Sequence, residues 1–276
     1  MGGAWDNPPV AIPITSAANE RIKRTARLRD RADRDAARQV LVEGYREVRR
    51  ALEGGWRIRE LFFCRPLFLG THEGDLMERC RASGADLLDC GEAAFRKLSY
   101  RDRPDGLVAV ADQRRLALED LHLPEQPLLL VIEGVEKPGN LGTMLRTADA
   151  GGVHAVIVCD PRTDLFNPNT VRSSVGSLFL IPAVTATTEE TMAWLVARGI
   201  RSYAATPSAT RAHFDCDLAR GAALVVGSEQ YGLSEAWLQG ADERILIPMH
   251  GRCDSLNVAS AATILIFEAA RQRAAK

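Results

Sequence analysis

From Leu128 onward, short apolar runs and helix-favouring stretches take turns along the chain, and this alternation restricts the fold more than any other feature. The apolar runs are Leu128 to Ile132, Ala155 to Cys159, Ser202 to Ala205, Ala223 to Val226 and Ile245 to Ile247. Helical stretches at Leu141 to Ala150, Asn169 to Ser177, Glu189 to Ala197, Ser234 to Gln239 and Val258 to Arg273 alternate with them. Nearly all-apolar strands are buried on both faces, and the intervening helices make parallel crossovers. The pattern predicts an α/β domain over residues 127–276: a mostly parallel sheet with helices on both faces.

Ahead of it the same reading yields a smaller α/β module over residues 19–113. Gln39 to Gly44, Ile58 to Phe63, Asp86 to Asp89 and Leu107 to Ala111 read as strands. The phrase from Tyr45 to Gly55, the stretch from Gly74 to Ser83 and Glu92 to Leu98 read as helices. Residues 1–18 are rich in Gly and Pro and are expected to be an unpacked tail, and residues 114–126 are expected to be a linker. From Asn19 to Arg38 the composition turns basic, with Arg21, Lys23, Arg24, Arg27, Arg29, Arg31, Arg34 and Arg38 among the acidic residues Glu20, Asp30, Asp33 and Asp35. Mixed charge at helical spacing predicts a solvated helix face, and the excess of arginine leaves phosphate contact as the alternative.

Bulk properties exclude several classes. The 276 residues carry a net charge of −1, so any nucleic-acid contact has to come from local patches. No run is long enough to span a membrane, and the first residues lack a signal core, so a cytoplasmic protein is expected. Six scattered cysteines without C-x-x-C spacing, and histidines that form no ligand pair with them, predict reduced thiols and no metal.

Three stretches carry chemistry, each after a predicted strand. The first is Glu133 to Gly152, with Asn140, Gly142 and Arg146 in the spacing N-x-G-x-x-x-R. The second is Gly227-Ser228-Glu229 with Gly232-Leu233, and the third is Ile247-Pro248-Met249 followed by Ser255-Leu256-Asn257-Val258-Ala259. In the third, Ser255 and Asn257 are types that cap a helix start, and the polar loop before them can offer free backbone groups to a small ligand. Arg172, Ser173, Ser174 and Ser177 read either as a basic, hydroxyl-rich helix start suited to phosphate or as a simple cap. A strand, glycine turn and helix at Ile132 to Ala150 superficially fit a dinucleotide-binding unit, but the G-x-G-x-x-G fingerprint is absent.

Taken in order, the three motifs resemble those of the SpoU (TrmH-type) RNA 2′-O-ribose methyltransferases. The phrase Leu41 to Gly55 is similar to the substrate-binding domain, ribosomal-protein-like in fold, that precedes the catalytic domain in many of them. The resemblance implies a deep trefoil knot in the C-terminal domain, S-adenosyl-L-methionine as cofactor, an RNA partner and a homodimer built on the final helix. It assigns Gly227, Ile247 and Leu256, with Thr206, to the cofactor, and Arg146, Asn140, Glu229, Ser255 and Asn257 to catalysis. A guanidinium stays protonated, so Arg146 is better suited to grip phosphate and a developing alkoxide than to act as a base. The expected substrate is ribosomal RNA; transfer RNA, or a non-catalytic RNA-binding module that kept the fold, are the alternatives.

Overall fold

The computed structural model describes residues 11–275, which divide into two compact units, 11–114 with 166–172 and 115–165 with 173–275. The first contains β1 (Ile12–Ile14), α1 (Glu20–Arg27), α2 (Arg31–Ala37), β2 (Gln39–Glu43), α3 (Tyr45–Glu53), β3 (Ile58–Phe63), α4 (Glu73–Ala82), β4 (Asp86–Cys90), α5 (Glu92–Leu98) and β5 (Leu107–Asp112). Its sheet runs β1-β4-β3-β5-β2, with β1, β4 and β3 mutually parallel and β5 antiparallel to both its neighbours. Ile14, Ile22, Phe62, Leu88, Phe95 and Val108 share one buried cluster beneath it.

One expectation needs correction here. Residues 1–10 lie outside the described residues, but Ile12 to Ile14 form an edge strand on β4 and Ile14 is buried, so the expected unpacked tail cannot run to residue 18. Three residues with a proline at their centre are too short to show a period. The arginine segment is largely the solvated helix face expected: Lys23, Arg24, Arg27, Arg29, Arg31 and Arg38 are exposed, and Arg34 alone among its basic residues is buried. It is two helices, each with its cap: the side chains of Asn19 and Asp30 accept from the N–H groups of Arg21 and Ala32, both at 2.8 Å. Arg34 is 1% exposed and donates to the carbonyls of Leu28 (2.8 Å) and Arg29 (2.7 Å), satisfying acceptors just beyond the end of α1.

The second unit contains β6 (Leu128–Glu133), α6 (Pro138–Ala150), β7 (Ala155–Cys159), β8 (Ala183–Ala186), α8 (Thr188–Ala197), β9 (Arg201–Ala205), β10 (Arg211–Ala212), β11 (Ala222–Val226), α9 (Glu235–Gly240), β12 (Glu243–Leu246) and α10 (Val258–Ala274); α7 (Pro168–Ser173) falls before β8 and mostly within the first unit. Its seven strands run β10-β12-β9-β11-β6-β7-β8, and every pairing is parallel. Leu129, Val131, Ile157, Val225 and Trp237 are buried in one core. Leu118 and Leu121 join that core, so the stretch expected as a linker is folded with the second unit. The helix expected to run from Asn169 to Ser177 stops at Ser173, because Val175 and Gly176 both adopt left-handed backbone (φ 52° and 86°). Strand β8 went unforeseen, its apolar run being short and opened by Pro182.

On α10 the buried residues Val258, Ala262, Leu265, Ile266 and Ala269 recur at helical spacing and face the sheet and α6, while Ile264 and Phe267 remain 37% and 49% exposed. No helix among the described residues is long and apolar enough to cross a membrane.

Candidate active site

The parallel sheet places the ends of β9, β11 and β12 side by side, at the carboxyl edge where open α/β sheets bind ligands. Thr206, Gly227 and Ile247 are each the first residue beyond one of those strands. All three line one cleft of about 540 Å³, a volume suited to a small molecule, together with Leu256 and Asn257 ahead of α10. The Thr206 N–H donates to the Ile245 carbonyl at 2.9 Å, tying the β9 end to β12. Gly227 is required by close approach: a Cβ there would collide with the Gly232 carbonyl of the tight turn that follows, where Ser228 and Gly232 exchange backbone hydrogen bonds.

A directed chain of hydrogen bonds crosses the same end of the sheet. Asn257 accepts from the Ala259 N–H at 3.0 Å, which caps α10, and donates through its amide to Asn140 Oδ1 at 3.3 Å. Asn140 in turn donates through Nδ2 to Glu229 Oε1. Glu229 Oε2 is buried without a protein partner, and Glu229 itself lines the cleft. A buried acceptor left open in this way is a site at which a ligand donor is strongly favoured. Ser255 also lines the cleft, its hydroxyl 3.4 Å from Asp254 Oδ1.

The sequence-predicted residues therefore divide. Thr206, Gly227, Glu229, Ile247, Ser255, Leu256 and Asn257 meet in one cleft, and Asn140 joins them through its two side-chain bonds. Arg146 does not line the cleft. Helix α6 begins at Pro138, not at the Gly139-Asn140 turn, so Asn140 lies in its first turn and Arg146 six residues further, about one and two-thirds turns away on another face. There Arg146 is exposed and has no hydrogen-bond or ion-pair partner among the described residues. Nor is the Arg172 to Ser177 segment an open helix start: Ser177 is buried and donates to Asp149 at 2.8 Å, while buried Ser174 accepts from the Gly176 N–H at 3.2 Å.

Two residues of the site escaped the sequence reading. Lys137, at the N-cap position of α6, lines the cleft. Glu133, the last residue of β6 and 7% exposed, accepts from the Ser234 N–H and hydroxyl (both 2.7 Å) and from the Thr188 hydroxyl (2.9 Å). Its carboxylate thus sits at the starts of α8 and α9, whose N-terminal partial positive charges favour an anion. It also anchors the far end of the turn that begins at Gly227. The available signal was its position, a carboxylate directly after five apolar strand residues.

The chain matches the model of the SpoU rRNA methylase family over residues 127–267 and that of an MRM3-like substrate binding domain over residues 19–109. It is 35% identical to a 23S rRNA (uridine(2479)-2′-O)-methyltransferase of Streptomyces viridochromogenes, over 97% of this chain and 95% of that protein. It is 31% identical to the 23S rRNA (guanosine(2553)-2′-O)-methyltransferase RlmP of Bacillus subtilis, over 92% and 97%. An AdoMet-bound rRNA methyltransferase from Sinorhizobium meliloti superposes with a TM-score of 0.86 at 33% identity, covering 95% of this chain and 98% of that one. This chain belongs to the SpoU rRNA methylase family.

Proposed function

We propose that this SpoU-family protein, an RNA 2′-O-ribose methyltransferase, binds S-adenosyl-L-methionine in the cleft at the ends of β9, β11 and β12 and methylates a ribose of large-subunit ribosomal RNA. The observation that carries the reading is that the three strand-end residues Thr206, Gly227 and Ile247 share one cleft with the unsatisfied Glu229 carboxylate. The residues suit the cofactor. Ile247 and Leu256 offer apolar surface to an adenine while leaving their main-chain groups for its polar edge, and Gly227 admits close backbone approach. When bound, the cofactor supplies an electrophilic methyl group.

The protein's own task is to present a ribose oxygen in line and to take up or share its proton. Asn257 and Asn140 donate in sequence toward Glu229 Oε1, which leaves Oε2 as the acceptor for a substrate hydroxyl. Arg146, fixed on α6 with no internal partner, is free to hold a phosphate and to stabilise developing negative charge. The ribosomal substrate is favoured because the full-length relatives above act on 23S rRNA. One is named for a uridine and the other for a guanosine, so the base at the target is not a family constant. We place the activity in the cytoplasm, where ribosomal RNA is made and where unpaired thiols persist.

The working unit we infer is a homodimer joined through α10, because Ile264 and Phe267 lie one turn apart on its exposed side. Family resemblance is likewise the ground for the trefoil knot. Sedimentation of the wild type against Ile264→Glu checks the dimer: burying an unpaired carboxylate costs about 3 kcal/mol or more, enough to dissociate it. A wild type that is active and monomeric at micromolar concentration removes it.

The direct test of function is to incubate the protein with labelled cofactor and separate pools of large-subunit, small-subunit and transfer RNA, then map the labelled nucleotide. Label on a ribose of the large-subunit RNA is expected. Label in transfer RNA alone would move the enzyme to the other substrate class, and cofactor binding without transfer to any RNA would leave a non-catalytic RNA-binding module.

A further inference from the structure

Tyr231 is an unexpected residue type to stand in the open beside the cleft: an aromatic ring, 68% exposed, in the turn whose other residues line that cleft. Burying so little, it adds almost nothing to the stability of its own unit. It is nonetheless held. Its N–H donates to Ser228 Oγ at 3.1 Å, and the Arg162 guanidinium lies over its ring, 5.7 Å from the centroid. Arg162 is itself fixed by an ion pair with Glu136 at 2.8 Å and by its own N–H, which donates to the Val135 carbonyl at 3.1 Å.

The topology gives this trio its meaning. Glu136 follows β6, Arg162 follows β7 and Tyr231 follows β11, so all three stand on the carboxyl edge of neighbouring parallel strands, the edge that also holds the cleft. The turn from Ser228 to Gly232 belongs to both features, with Ser228, Glu229, Gln230 and Gly232 on the cleft and Tyr231 turned outward. One face of the ring is covered by a cation and, at 68% exposure, the rest is open. An aromatic ring backed by a guanidinium at the rim of a nucleic-acid site is a surface on which an unpaired base stacks.

We propose that Tyr231, backed by Arg162, is a stacking platform for an unpaired base of the RNA substrate, flanking the nucleotide that is methylated. This rests on the RNA methyltransferase reading above and extends it to how the substrate is held. Because every base has a π-face, the platform positions the strand without reading its sequence, and selection of the target falls to other contacts. It further requires the acceptor to lie in a loop, bulge or opened strand, since a base inside a duplex has no free face to offer.

The experiment is steady-state methylation of ribosomal RNA by the full-length wild type, Tyr231→Phe, Tyr231→Leu and Tyr231→Ala, with cofactor affinity measured in parallel by calorimetry. Tyr231→Phe keeps the ring and is expected to keep the wild-type KM for RNA. Tyr231→Leu keeps apolar bulk without a π-face, and both it and Tyr231→Ala are expected to raise that KM roughly tenfold, at unchanged cofactor affinity and melting temperature. Arg162→Ala is expected to raise it less, because it loosens the ring without removing it. If Tyr231→Leu and Tyr231→Ala methylate with the wild-type KM, the platform is wrong while the methyltransferase reading stands. If both lose cofactor affinity and thermal stability together, Tyr231 supports the turn and the platform is again wrong. A wild type that methylates no RNA overturns both.

Discussion

The two units spend their positive charge differently. In the first, many arginines are paired: Arg21 and Arg24 converge on Glu60, Arg59 on Asp112, and Arg101 on Glu47 and Asp105, while Arg29 caps the carbonyls of Lys97, Leu98 and Ser99. Of the eight basic residues from Arg21 to Arg38, six make a side-chain hydrogen bond or close ion pair among the described residues. In the second unit the basic residues of α6 behave in the opposite way. Lys137 lines the cleft and Arg146 projects from the helix, and neither has a partner among the described residues. A cation already neutralised inside the fold has little to give a phosphate, and on that ground we propose that the unpartnered Arg146 meets the substrate although the net charge of the chain is −1.

The comparison breaks most visibly if Arg146 and Arg34 are exchanged in importance. Arg146→Ala is expected to lower methyl transfer on the order of a hundredfold or more, as loss of a charge-stabilising donor does, with melting temperature unchanged and cofactor affinity within a few-fold. Arg34→Ala is expected to do the reverse, costing about 2–4 kcal/mol of stability, because buried carbonyls lose a charged donor and a cavity opens, with turnover per folded molecule intact. Calorimetric melting and a methyl-transfer assay on both variants decide it. An Arg146→Ala protein with near-normal turnover removes that residue from the mechanism.

Carboxylates sharpen the same contrast at smaller scale. Glu133 and Glu60 are about equally buried, at 7% and 8% exposed. Glu133 is held by neutral donors on two helix starts, whereas Glu60 faces two arginines that are themselves 36% and 58% exposed. Glu133→Ala strands the buried Thr188 hydroxyl and removes the acceptor of two Ser234 donors, and is expected to cost about 2 kcal/mol, and to weaken cofactor binding because the turn from Gly227 to Ser234 loses its anchor. Glu60→Ala releases arginines that water can reach, and about 1 kcal/mol is expected with cofactor affinity unchanged. Urea unfolding measures the first pair of numbers and calorimetry with S-adenosyl-L-methionine the second. Equal losses in both variants would show that the neutral donors confer no special role on Glu133.

These contrasts also explain what could be read in the sequence. Strands such as Leu128 to Ile132 and Ala222 to Val226 were legible because a fully buried parallel strand has to be apolar at every position. The cleft was legible through the family resemblance, whose assigned residues Thr206, Gly227 and Ile247 stand directly after β9, β11 and β12. The arginine run was legible as an exposed helix face, but a charge pattern says nothing of which carbonyls a guanidinium will find, as buried Arg34 shows. Ile12 to Ile14 and Leu118 escaped because a short segment is ordered by partners distant in sequence, Leu88 to Cys90 for the first and the core of the second unit for the other. Glu133 escaped for the same reason, since its donors lie at Thr188 and Ser234.

The smallest effect tests whether a paired charge in the second unit behaves like those of the first. On α10, Glu268 accepts from Arg271 at 2.7 and 2.8 Å and from Gln272 at 2.8 Å. The Arg271 hydrogen bonds foremost, and then the Gln272 amide, outweigh the opposing effect of burial and hold its carboxyl near 2, against an ordinary 4.5. Because the folded value is the lower one, the stability it contributes is complete above the ordinary value, declines as pH falls below it and is gone near pH 2. Arg271 is 66% exposed, so solvent screens the pair and its worth is about 1 kcal/mol or less. Glu268→Gln should therefore leave methyl transfer unchanged at neutral pH and flatten the acid limb of a melting-temperature profile between about pH 4.5 and 2. A wild-type and a mutant profile that run parallel through that window would mean that the pair contributes nothing, and that even a well-formed ion pair on this helix is idle.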